Sequence, residues 1–219
     1  MGDFPNIPPA DVSKPAPGAL GEVTAKTDPI VTVDGKKIKS SQFSVLKQLD
    51  RDNPQVSSAK ILSGATITST GNVIGLDLNG VKGIKNIRAL AKLTYLKGLF
   101  LYNTGITNIS SLGKLANLER LSVGGTAITS ITPLARLTKL KRLYLWGTKI
   151  TSVEALGAGH KNLEILYINN TPLSNINPLF KLPKLEQLCV KGSKVTDTQV
   201  KKLVAAASKQ GRLLRIMPN

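Results

Sequence analysis

The sequence predicts an α/β solenoid closed by a cap at each end, and three observations carry that expectation. Apolar positions recur at a fixed short period, with units beginning at Val73, Leu96, Leu118, Leu140, Leu163 and Leu185, at intervals of 23, 22, 22, 23 and 22 residues. Inside each unit the same order returns. Leu118, Leu121 and Val123 match Leu140, Leu143 and Leu145; a Gly-Thr or Asn-Thr step follows; then come Ile128, Ile131, Leu134 and Leu137 or their counterparts. A unit this short buries no apolar side alone, so neighbours must stack and share one core.

The elements follow in order. Residues 1–27 carry Pro5, Pro8, Pro9, Pro15 and Pro17 with few large apolar side chains, which predicts an extended arm. Residues 28–70 are expected to cover the open apolar end of the array. Ile30 to Val33, Asp34-Gly35 and Lys36 to Ile38 suit a hairpin with a favoured turn dipeptide. Ser40-Ser41 open a helix with Phe43, Leu46 and Leu49 on one face, ending near Asn53-Pro54. Repeats occupy residues 71–195. Residues 196–219 form the second cap, a helix from Thr196-Asp197 closed by Gly211, then a last strand from Leu213, Leu214 and Ile216.

The full pattern, L-x-x-L-x-L-x-x-T-x-I-x-x-I-x-x-L-x-x-L-x-x, resembles leucine-rich repeats of the short class found in bacterial internalins and in a regulatory subunit of type-1 protein phosphatase. The resemblance spans roughly residues 71 to 219. It implies a right-handed coil with a curved parallel β-sheet, and it says little about function, because such repeats serve many unrelated partners. One departure is consistent. Where the family usually has Asn after the strand, this chain has Thr104, Thr126, Thr148, Thr171 and Ser193. A ladder of hydroxyls satisfying turn backbone groups is the expected reason.

Charge is the next informative feature. The net charge is +17, and its distribution is uneven: residues 1–70 hold 8 Lys/Arg against 7 Asp/Glu, whereas residues 71–219 hold 22 against 6. A repeat domain so cationic attracts polyanions, whether acidic protein surfaces, nucleic acid or anionic membranes. The single cysteine, Cys189, excludes an intramolecular disulfide. Residues 1–25 lack the pattern of a signal peptide, and no stretch reaches the roughly 18 apolar residues that span a bilayer. An intracellular, most simply cytoplasmic, setting without membrane insertion is expected.

In each strand, positions 1, 4 and 6 point to the core and positions 3, 5 and 7 to the concave face. Five of the nine aromatic residues fall at those outward positions: Phe100, Tyr102, Tyr144, Trp146 and Tyr167. Arg120 and Arg142 take equivalent places on adjacent strands, and Lys191 lies farther along the same face. Exposed Trp, Tyr and Arg dominate binding energy at protein interfaces. The predicted partner is therefore a protein with an acidic surface, bound at Phe100, Tyr102, Arg120, Arg142, Tyr144, Trp146, Tyr167 and Lys191. RNA binding, or a place in a ribonucleoprotein or other large particle, is the alternative, since the same residues stack on bases. A face covered by the chain's own Pro-rich arm is the competing account.

Lys92, Lys114, Arg136 and Lys181 recur on the convex side, where a solvated face left by duplication is the plainer account and a phosphate-reading stripe the sharper one. Catalytic potential is thin. His160 is the sole histidine and reads as a loop residue; one His and one Cys cannot make a zinc site of ordinary ligand count. Cys189 beside Lys191 is placed for a lowered pKa. No phosphate-binding glycine loop or carboxylate pair is present in the sequence. The expectation is a non-catalytic binding module or scaffold without cofactor, metal or small-molecule substrate.

Overall fold

A computed structural model describes residues 28–157 and 159–218; the proposed Pro-rich arm lies outside them. Ten strands and three α-helices are present among these residues. Strand β1 (Ile30–Val33) pairs antiparallel with β2 (Lys36–Lys39) across Asp34-Gly35, both of positive φ. Helix α1 (Ser40–Asp52) follows at once, buries Val45, Leu46 and Leu49, and is capped from outside rather than by its own serines. The Asp28 carboxylate accepts from the Ser41 amide at 3.0 Å and from the Ser41 hydroxyl. A short second helix, α2 (Ser58–Ser63), was not legible in the sequence.

The main sheet has eight strands in the order β10-β9-β8-β7-β6-β5-β4-β3. β3 (Ala65–Ile67) runs antiparallel to β4 (Val73–Asp77) and so ends the array on one side. From β4 onward every pair is parallel: β5 (Gly98–Phe100), β6 (Arg120–Ser122), β7 (Arg142–Tyr144), β8 (Ile165–Tyr167) and β9 (Gln187–Cys189). Leu76, Leu99, Leu121, Leu143, Leu166 and Leu188 are in register along the sheet and buried to the same depth. Parallel strands joined by crossovers in one sheet coil right-handedly.

The turn after each strand explains the recurrent dipeptide. Asn103, Gly125, Gly147, Asn170 and Gly192 all have φ between 52° and 71°, a left-handed region that Gly and Asn tolerate best. The next residue donates its hydroxyl to the carbonyl three residues back: Thr104 to Leu101, Thr126 to Val123, Thr148 to Leu145, Thr171 to Ile168 and Ser193 to Val190, at 2.5–2.7 Å. The hydroxyl ladder is thus real, each rung closing its own turn. Short 3-10 helices form the convex layer, at Arg88–Lys92, Ser110–Lys114, Thr132–Arg136, Glu154–Leu156 and Asn177–Lys181.

At the far end α3 (Asp197–Lys209) begins with a complete capping box, Thr196 Oγ1 accepting from the Gln199 amide while Gln199 accepts from the Thr196 amide. Gly211 turns the chain at φ 69°, and β10 (Arg215–Ile216) adds in parallel to β9, as expected. His160 differs from its expected role. It stands where neighbouring repeats have Leu93, Leu115, Leu137 and Leu182, is 0% exposed, and bonds the Leu134 carbonyl through Nε2 at 3.1 Å while Nδ1 has no partner among the described residues.

Candidate protein-recognition face

The register turns the repeat into three rows across the concave sheet. Position 3 gives Gly98, Arg120, Arg142, Ile165 and Gln187; position 5 gives Phe100, Ser122, Tyr144, Tyr167 and Cys189. Beyond the paired residues, position 7 gives Tyr102, Gly124, Trp146, Asn169 and Lys191. All eight predicted site residues stand on this face, because strand periodicity places every second side chain on one side. None of the five aromatics belongs to the apolar core cluster.

Their exposure differs from expectation. Phe100, Tyr144 and Trp146 are only 9%, 8% and 7% exposed, while Tyr102, Arg120 and Tyr167 are half-buried and Arg142 and Lys191 are exposed. Part of the reason lies in side-chain sizes along a row. Gly124 leaves room for the Trp146 indole to lie across the neighbouring strand: a Cβ there would meet Cε2 and Nε1 at 2.7 Å. The indole thereby reaches Tyr102 two strands away, with ring centroids 4.6 Å apart and planes tilted by 43°. Tyr144 meets Tyr167 edge-on at 5.3 Å, a favourable geometry for aromatic pairs. Between Phe100 and Tyr144 sits Ser122, whose buried hydroxyl has no hydrogen-bond partner among the described residues, a costly condition for a polar group.

Electrostatics follow the same geometry. Burial raises the Tyr144 hydroxyl above its ordinary value, and the positive charges of Arg142 and Arg120 act against that rise. Burial also raises Tyr167, helped by Tyr144 and Cys189. Cys189 corrects the sequence expectation. Its thiol is pushed up by burial, which outweighs the Lys191 amide and ammonium, and Sγ lies 3.7 Å from the Pro218 carbonyl. A buried, protonated thiol is a poor nucleophile. Among the described residues no group of three or more His, Cys, Asp or Glu is placed to hold a metal, and no helix is long and apolar enough to cross a membrane.

Arg215 joins this face in addition to the residues expected from the sequence. Its pairing with Gln187 puts it at the end of the row that holds Arg120 and Arg142, and its phase relative to Leu214 was the available signal. Gly124 takes an outward position by the same alternation, and its lack of a side chain is what lets the Trp146 indole lie flat across the face.

Comparison with known proteins agrees with this architecture. A leucine-rich repeat family model, describing two copies of the repeat, matches residues 94–136, 116–158 and 138–181 in overlapping placements. An internalin from Listeria monocytogenes superimposes with a TM-score of 0.55 at 18% identity, covering 77% of this chain and 53% of its own. Internalin C2 from the same organism gives 0.54 at 22% identity, over 81% and 92% of the respective chains. The chain therefore spans about half the length of the first of these. No curated protein matches it. The period, the parallel register and the matching family model agree: residues 94–181 are leucine-rich repeats, and the chain has the fold of a leucine-rich repeat solenoid.

Proposed function

We propose that the chain is a non-catalytic, intracellular binding module that recognises an acidic protein surface on its concave face. The observation that carries this reading is the adjacency of Arg120 and Arg142 on paired strands, beside aromatics held by one another rather than by the core. The cations supply charge and bidentate donors. Tyr102 and Tyr167 supply half-buried rings, and Trp146 beneath Tyr102 stiffens the platform, so little side-chain freedom is lost on binding. Binding by a preformed sheet face is consistent with the fold of the internalins it resembles, and the acidic partner is inferred from this chain's own charge.

The test is affinity purification from native cells with and without nuclease, then measurement of the recovered partner against wild type and Arg142→Ala. Arg142 is exposed, so its truncation leaves the fold intact. Loss of about 2 kcal/mol of binding is expected for a central anchor, with an association rate that falls as salt rises. Undiminished binding by the variant would place the contact elsewhere.

A further inference from the structure

We propose that the convex face is a second binding surface, one that takes the phosphate backbone of a nucleic acid, with the cleft between the first two 3-10 helices as its seat. The cleft has a volume of about 400 Å³ and is lined by Lys85, Asn86, Ile87, Arg88, Asn108, Ser110 and Ser111, with no carboxylate among them. Its rim is held in place. Asn53 accepts from the Lys85 and Asn86 amides at 2.7 and 2.9 Å, Asn86 accepts from the Arg88 amide at 3.1 Å, and Asn108 accepts from the Ser110 amide at 2.7 Å. These backbone donors are therefore occupied. The Lys85 ammonium and the Arg88 guanidinium are exposed and form no ion pair among the described residues, where Lys141–Glu119 is the one ion pair observed. An acceptor-rich anion of phosphate size matches what remains.

The layer of 3-10 helices that supplies the cleft also carries a repeated set of cations. Lys92, Lys114, Arg136 and Lys181 are the last residues of four 3-10 helices in the same layer, and all four are exposed. None of these four helices contains a carboxylate; Glu154 stands in the remaining 3-10 helix of the layer, Glu154–Leu156. Repetition by duplication accounts for the spacing of this track but not for a carboxylate-free cleft beside it. The chemistry differs from that of the concave face: a protein interface wants a clustered, desolvated aromatic centre, whereas the five 3-10 helices carry a single aromatic, the exposed Phe180. A polyanion needs only regularly placed cations, whose contacts release condensed counterions. Tyr95, exposed three residues beyond Lys92 and approached by Lys39 at 5.6 Å, adds a ring on which an unpaired base stacks. A bilayer would ask instead for apolar groups to insert.

The experiment titrates the full chain into a labelled polyuridine oligonucleotide over a series of salt concentrations, followed by anisotropy. Lys85→Gln with Arg88→Gln, and Lys114→Gln with Arg136→Gln, are compared with wild type and Arg142→Ala; circular dichroism checks that each is folded. Each convex pair should weaken binding by about tenfold or more and flatten the log–log salt slope by about 1.4, the share of two single-strand phosphates. Arg142→Ala should bind the oligonucleotide as wild type does. No binding by wild type, unchanged binding by both convex pairs, or loss that follows Arg142→Ala instead would each overturn the proposal. Capture by phosphatidylserine vesicles with no oligonucleotide binding would overturn it in favour of a membrane surface. Because Arg142→Ala is read separately against the protein partner, failure here leaves the concave-face reading standing, and the reverse holds too.

Discussion

His160 and Gly124 are two single positions where one side chain decides local behaviour. His160 occupies a leucine position in the core, and burial holds its imidazole below its ordinary value against the opposing bond to Leu134. The neutral ring is thus favoured in the folded chain, whereas the unfolded chain takes up a proton below about pH 6.5. Stability should be fully present above that pH and fall as pH drops toward the lowered folded value, by at most about 1.4 kcal/mol per pH unit. In His160→Leu this contribution should vanish, since Leu fits the sites of Leu137 and Leu182 and the Leu134 carbonyl still accepts from the Leu137 amide. Urea midpoints of both proteins at pH 7.5 and pH 5, both chosen to bracket the titration of about 6.5, decide it: an equal loss in the two would remove His160 as the cause. Gly124 makes a spectroscopic prediction. Trp146 is the only tryptophan in the chain, and any side chain at Gly124 meets the indole at 2.7 Å. Gly124→Val should lift the ring off the sheet and shift its emission to the red; an unmoved spectrum would refute the packing described.

Among the elements, the junction between the N-terminal cap and the first repeat depends on one amide side chain. Asn53 is buried at the end of α1. Its nitrogen donates to the Leu49 and Asn86 carbonyls at 2.7 Å each, and its oxygen accepts from the Lys85 and Asn86 amides. Gln42 plays a parallel part, accepting from the Val73 amide and donating to Asn72, so α1 is tied to the start of β4 as well. Removing a buried partner leaves donors and acceptors unsatisfied at about 1–3 kcal/mol each. Asn53→Ala should therefore lower global stability by about 3 kcal/mol and first raise amide exchange at residues 84–88, next to the freed groups. An exchange pattern raised evenly over all repeats would show that the junction is not what Asn53 holds.

For the molecule as a whole, charge is the unusual quantity. Residues 71–219 carry 22 basic against 6 acidic residues, and Lys141–Glu119 at 2.9 Å is the one ion pair among the described residues. Like charges on a compact body repel, and mobile ions screen that repulsion over roughly 10 Å at 0.1 M salt. Moderate salt should accordingly raise the thermal midpoint, with little offsetting loss, because an exposed pair contributes less than about 1 kcal/mol. A midpoint that falls between low and moderate sodium chloride would mean that attractive pairs outweigh the repulsion. The same charge makes binding on either face weaker as salt rises, so stability and affinity should move in opposite directions.

Periodicity made most of the fold legible in the chain itself. Leucines at a 22-residue spacing determine which side chains are buried, which face outward and how strands stack, because a stacked unit has one way to hide that pattern. The Gly-Thr and Asn-Thr steps likewise carried their own turn geometry. Locally encoded features of this kind survive translation from sequence to structure. What required the tertiary structure were contacts between residues far apart in the chain. Asn53 looked like a helix end but binds residues 85 and 86; His160 looked like a loop residue but fills a leucine site; Cys189 looked activated by Lys191 but is buried and raised. Alternation puts the outward aromatics on the concave face, yet how deep the Trp146 indole lies depends on Gly124 one strand away. Alternation along a strand tells a side chain's direction, whereas its burial depends on the size of neighbours that only the stacked repeats bring beside it.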